Sequence, residues 1–157
     1  MQTVPEPGSE GRLTAVELGA WRGFLRVHSR LLRELDAELC SRHQLPLSSY
    51  EVLLNLSGAA DHRMRMSELA DSVLLSRSGL SRLCDRLECD GLVERVVAAT
   101  DARGAFAVIT PLGLERFRAA QLTHLAGVRE RFTSHFGQSD MRELAEFWER
   151  VLPGASS

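Results

Sequence analysis

Arg77, Ser78, Ser81, Arg82 and Arg86 recur within ten residues, and their types suit one kind of chemistry. A guanidinium is a planar fork that donates paired hydrogen bonds to a guanine edge or a phosphate, and a serine hydroxyl bonds to either. If residues 76–90 form a helix, Leu80, Leu83 and Leu87 fall at i, i+3 and i+7 and face a core. The five polar residues then lie on the rotated, outer face. Ser76 would cap the start, Gly91 would end the helix, and Gly79 would allow close approach to a ligand. Bulk charge gives no such hint: the 157 residues carry 19 basic and 21 acidic side chains, for a formal net charge of −2. All the basic residues are arginine, so every permanent cation is planar and capable of bidentate contact. Over residues 63–103 arginines and acids balance, but the acids fall mainly late, at Asp85, Glu88, Asp90 and Glu94. The start of the helix is therefore locally basic. Arg86 could instead pair with Asp85, Glu88 or Asp90 at helical spacing. Arg95 has the same two options, or none as a plain exposed strand residue.

Other reactive side chains offer less. Cys40, Cys84 and Cys89 are too few and too odd in number for a disulfide framework, which suits a reducing compartment. Cys84, flanked by Leu80 and Leu87, reads as a small buried hydrophobe; Cys89 lies about 140° round the helix from it, a poor geometry for bridging. Cys40-x-x-His43 has ligand-like spacing but no companion pair, so neither metal nor cofactor is expected. No Gly-rich phosphate loop, G-x-S-x-G or H-E-x-x-H occurs, which argues against an enzyme. The Pro/Gly/Glu-rich start lacks an apolar signal region, and no apolar run approaches the roughly 20 residues of a membrane span. A cytoplasmic protein without a membrane partner is expected.

Thr14-Ala-Val-Glu17 predicts a capping box opening a long helix. Leu18, Trp21, Leu25, His28, Leu32, Leu35 and Leu39 then trace one stripe, longer than so small a core can cover, which suggests a partner helix from a second subunit. Within that stripe His28 reads first as a packed core histidine. After Pro46, Ser48-Ser-Tyr-Glu51 predicts another capped helix, with a loop over 58–63. Arg63-Met-Arg-Met66 suggests a very short strand, and Ser67 a cap for a short helix over 68–73. Residues 92–98 and 105–109 predict a hairpin around the turn-prone tip 99–104. Thr110-Pro111 opens a further long helix, and Ser139 a last one that Pro153 ends. Short helix, tight turn, longer helix and hairpin make a winged helix-turn-helix. The expected fold is mainly α with a small β-hairpin wing. A DNA-binding domain over 46–109 would be flanked by a helical dimerisation region, 13–45 and 110–152, with loose ends at 1–12 and 153–157.

Residues 67–113, with Ser-Glu-Leu-Ala, Ser-Arg-Ser-Gly-Leu-Ser-Arg-Leu-Cys-Asp-Arg-Leu-Glu, Gly-Leu-Val-Glu-Arg, Asp-Ala-Arg-Gly and Ile-Thr-Pro-Leu-Gly, resemble the MarR family of transcriptional regulators. The resemblance implies a homodimeric repressor on a pseudo-palindromic double-stranded DNA operator, released by a small, often anionic aromatic, effector. It implies that Arg103 enters the minor groove and that Asp101 orients it, in the family's Asp-x-Arg wing motif. Ala98-Ala99 stands where the family often has a proline. It also implies an effector pocket between the two lobes, for which Trp21, Arg22, His28 and Tyr50 are candidates. Two alternatives remain: a thiol-based redox sensor using Cys84 or Cys89, and a protein-interaction winged helix that binds no DNA.

Overall fold

A computed structural model describes residues 11–73, 75–97 and 104–154. Helix α1, Ala15–His43, starts with the expected capping box: the Thr14 hydroxyl accepts the Glu17 N–H while the Glu17 carboxylate accepts the Thr14 N–H at 2.7 Å. It ends where Gln44 turns left-handed, at φ 52°. Helix α2, Leu47–Gly58, begins one residue before the expected serine cap, because its first N–H is already satisfied. The Asp36 carboxylate of α1 accepts the Leu47 N–H at 2.8 Å. The expected loop after it is shorter than 58–63, since Gly58 stays helical and Ala60–His62 form a 3-10 turn.

Strand β1, Arg63–Arg65, leads into α3, Met66–Ser72. Ser67 lies inside α3 and is not its cap. Glu68 takes that part, accepting the Arg65 N–H at 3.4 Å. A tight turn, closed by the Leu75 N–H donating to the Ala70 carbonyl at 3.0 Å, connects to α4, Arg77–Cys89. The wing strands β2, Val93–Val97, and β3, Ala105–Ile109, pair antiparallel, and β1 joins the far edge of β3. The register pairs Val93 with Ile109 and Arg95 with Ala107, while Met64 of β1 pairs with Ala107 from the other side. Helix α5, Pro111–Arg131, has the expected Thr110 cap with proline in its first turn. After a 3-10 turn at Thr133–His135, α6 runs Gln138–Val151; its start is held by Asp140, which accepts the Gly137 N–H at 2.8 Å, and not by Ser139.

The core lies inside the helix-turn-helix. Leu53, Leu56, Leu69, Leu80, Leu83 and Leu87 are all at or below 1% exposure, and Leu39 of α1 and Phe117 and Ala120 of α5 close it from above. Each fully buried leucine is worth about 1.5–3 kcal/mol of transfer free energy. Gly113 lets α5 start against the sheet: a Cβ there would stand 2.8 Å from the Ile109 Cγ1 and closer still to the Leu92 carbonyl. Along the α1 stripe, by contrast, only Leu35 and Leu39 are buried. His28 is exposed and stacks on Phe24 at 5.8 Å, so the reading of it as a packed core residue is corrected. Among the described residues, no helix is long and apolar enough to cross a membrane.

Candidate nucleic-acid interface

The putting-forward of α4 begins at its cap. The Ser76 hydroxyl accepts the Gly79 N–H at 3.1 Å and lies 3.3 Å from the Ser78 hydroxyl. A Cβ on Gly79 would stand 3.1 Å from that same Ser76 oxygen, so the glycine makes room for the cap more than for a ligand. With Leu80, Leu83, Cys84 and Leu87 buried, Ser78, Arg82 and Arg86 are exposed along the opposite side, and Arg77, seven residues before Cys84, is exposed at the first turn of the helix. Arg77 also lines a recess of about 320 Å³ with Arg65 and Ser67, where the starts of α3, α4 and β3 meet.

Ser81 behaves differently from the other four. It is half-buried, and its hydroxyl accepts from Arg95 Nη1 at 3.5 Å. Strand alternation explains how Arg95 reaches it: Arg95 lies two residues beyond the buried Val93 and therefore shares the face that packs on α4. Its Nε donates to Glu88 Oε2 at 2.6 Å, its backbone N–H to Glu88 Oε1 at 2.9 Å, and its Nη2 to Asp85. Two of the three carboxylates that were candidates for Arg86, Asp85 and Glu88, are thus engaged by the wing, and Arg86 forms no ion pair among the described residues.

Sequence reasoning read Arg63 and Arg65 only as part of a strand. Both guanidiniums lie over the Phe106 ring, at 5.3 and 5.0 Å from its centroid, on the outer face of the sheet. The signal was the i, i+2 spacing, which puts both on one side of a strand. Asp101 and Arg103 lie outside the described residues.

The effector candidates divide into two places. Phe24 joins Trp21, at 6.0 Å between ring centroids, to His28 and to Trp148 of α6, at 5.5 Å. Arg22 is exposed next to them in sequence. Tyr50 is buried, packing on Phe117 at 5.5 Å and His124 at 4.6 Å. It belongs to the same core as Leu39, which lies about 27 Å along α1 from Trp21. The structure therefore brings Trp21 and His28 together and leaves Tyr50 apart.

Cys84 is fully buried, and its thiol is pushed up to about 11, first by burial and then by the nearby Glu88 and Asp85, with Arg95 opposing. A thiol held protonated is a poor nucleophile. Cys89 is exposed. Cys40 points to Asp36, at 3.9 Å, and His43 to the Thr123 hydroxyl, at 2.7 Å, so this pair does not converge. Among the described residues no cluster of three or more His, Cys, Asp or Glu is placed to hold a metal ion.

Comparison with known proteins gives a consistent result. A model described as MarR family matches residues 43–104. AbsC, a MarR family transcriptional regulator from Streptomyces coelicolor, is 38% identical, with a TM-score of 0.85 over 89% of this chain and 94% of that one. Sco3205 from the same organism, a MarR family transcriptional regulator solved in complex with DNA, is 32% identical, with a TM-score of 0.87 over 91% and 93% of the two chains. The HTH-type transcriptional repressor YetL of Bacillus subtilis (strain 168) is 27% identical over 141 residues, 87% of this chain and 84% of that protein.

Proposed function

The chain belongs to the MarR family of transcriptional regulators, and from that premise we propose that it binds a pseudo-palindromic duplex operator as a homodimer and represses until a small ligand releases it. The observation that carries DNA binding is the outer face of α4, where Arg77, Arg82 and Arg86 are exposed while the acids Asp85 and Glu88 are held by Arg95. Arg77, Ser78 and Arg82 contact the major groove, with Ser81 at the edge of that surface beside Arg95; Arg86 contacts phosphate. Arg103, oriented by Asp101, enters the minor groove. Residues 46–109 form the reading domain, and 13–45 with 110–152 the dimerisation region. The DNA complex of Sco3205 and the repressor YetL support this reading.

Dimerisation is supported by apolar side chains left open on α1, α5 and α6, among them Trp21 (53% exposed), Leu122 (74%) and Val151 (78%). The effector is a small aromatic anion. Trp21, Phe24 and His28 offer rings to stack on it and Arg22 a cation for its carboxylate, with Tyr50 set apart in the core. Its binding alters the separation of two α4 helices that must span half-sites about 34 Å apart, so a shift of a few ångströms loses one contact. No observation favours a thiol switch at Cys84 or Cys89. A gel shift with the duplex upstream of the chain's own gene tests the whole reading. Arg82→Ala should weaken binding to that duplex by about 1–3 kcal/mol and relax specificity, and salicylate, as a representative aromatic anion, should release the wild-type complex. Unchanged affinity in both Arg82→Ala and Arg103→Ala across a salt series defeats it.

A further inference from the structure

Arg95 is a wing arginine whose guanidinium turns toward its own α4. Its Nε, Nη1 and Nη2 are directed to Glu88, Ser81 and Asp85, three residues of α4 at i, i+4 and i+7 along the edge that faces β2. We infer that Arg95 is a positioning residue for DNA recognition, which fixes the wing to α4 and cancels two carboxylates that the phosphate backbone would otherwise meet. This inference rests on the DNA-binding reading above.

The geometry makes cancellation matter. Arg82 and Arg86 lie roughly 60–100° round α4 from Asp85, and a helix with its side chains is only about 10 Å across. A phosphate at either arginine is therefore within about one Debye length of Asp85 at 0.1 M salt. Uncompensated, Asp85 and Glu88 would offset the pull of the neighbouring arginines. Asp85 keeps 54% of its side chain exposed even when paired, so solvent and DNA both reach its field. The same fork also holds the Ser81 hydroxyl on the β2 side of the helix, at 3.5 Å.

The test is fluorescence anisotropy on the full chain with a labelled duplex from upstream of its own gene and a scrambled duplex, across a salt series. Three proteins are compared: wild type, Arg95→Gln, and Arg95→Gln combined with Asp85→Asn and Glu88→Gln. Arg95→Gln should weaken binding roughly tenfold or more. The triple variant should recover to within about threefold of wild type with an unchanged salt slope, because it removes the acids along with the cation. A triple variant as weak as Arg95→Gln, with a slope lower by about one unit, would make Arg95 a phosphate contact and overturn the inference. So would an Arg95→Gln protein that binds as wild type does. Should Arg95→Gln fail to fold, the triple variant decides alone: binding within about threefold of wild type supports the inference, and binding about tenfold weaker with a slope lower by about one unit overturns it. A wild-type chain that binds neither duplex defeats the DNA reading itself, and the inference with it.

Discussion

The two lobes treat apolar surface in opposite ways. In the helix-turn-helix, α3 and α4 bury Leu69, Leu80, Leu83 and Leu87 against α2 and the sheet within one chain. In the long-helix region, α6 buries no residue at all, and Leu25, Leu122, Leu125 and Val151 stand between 44% and 78% exposed. The helix-turn-helix thus buries its apolar side chains within a single copy, whereas the helical lobe leaves an apolar face open, the face proposed above for self-association. The largest expected effect tests that contrast. Leu83→Ala should cost about 2–5 kcal/mol, read by urea unfolding, with a similar loss at every protein concentration. A loss that vanished at high concentration would mean that the reading lobe also depends on the partner copy.

The seam between the lobes comes next. Gly113 lies where α5 leaves the sheet, and a methyl group there would press on the Ile109 side chain and the Leu92 carbonyl. That carbonyl also accepts the Thr110 N–H at 3.0 Å, and the Thr110 hydroxyl donates to the Gly91 carbonyl at 2.7 Å. Backbone cannot yield as a flexible side chain can, so Gly113→Ala should destabilise by about 1–3 kcal/mol. A neutral result in thermal melts would mean that α5 can shift without disturbing the wing. On the open side of the helical lobe, Leu122→Ser should leave the single chain almost unaffected and weaken self-association by about 1–2 kcal/mol. Sedimentation equilibrium measures this directly, and a wild-type chain that stays monomeric would end the comparison.

The fold was legible in the sequence to the extent that local patterns decided it. The 3,4 spacing and the Thr14, Ser76 and Thr110 caps placed α1, α4 and α5, and β-branched runs either side of a polar, turn-prone tip placed the hairpin. Three serine caps at Ser48, Ser67 and Ser139 were misplaced because carboxylates took their part: Asp36, Glu68 and Asp140 satisfy the amides at those starts. One of these acids comes from a different helix, and no local rule can see that. The same limit hid the role of Arg95. Its face follows from Val93, but its partners lie seven to fourteen residues back, and only tertiary packing brings them together. Grouping Ser81 with the freely exposed residues of α4 failed for the same reason. Trp21, His28 and Tyr50 each looked suited to a ligand, but the sequence could not show that α1 carries the first two far from the third.

The smallest effect comes from His124, at the junction between the lobes. Its ring packs on Tyr50, its Nδ1 is buried without a hydrogen-bond partner among the described residues, and burial holds its pKa below the ordinary value. The folded chain therefore refuses a proton that the unfolded chain accepts near pH 6.5. Above that pH the group contributes nothing to pH dependence; as pH falls below it, the unfolded state binds more protons and stability is lost. Glu51 acts in the opposite sense and at lower pH, since burial raises its pKa and its ionisation disfavours folding as pH climbs through the carboxylate range. The difference between wild type and His124→Phe isolates the histidine. The variant keeps an aromatic ring against Tyr50, so it should match or exceed wild-type stability at pH 5.5 and show a shallower decline between pH 7 and 5.5, by at most about one proton in slope. Parallel curves for the two proteins in urea titrations would show that His124 accepts its proton where it lies, and that the junction is open to water and not sealed like the core beside it.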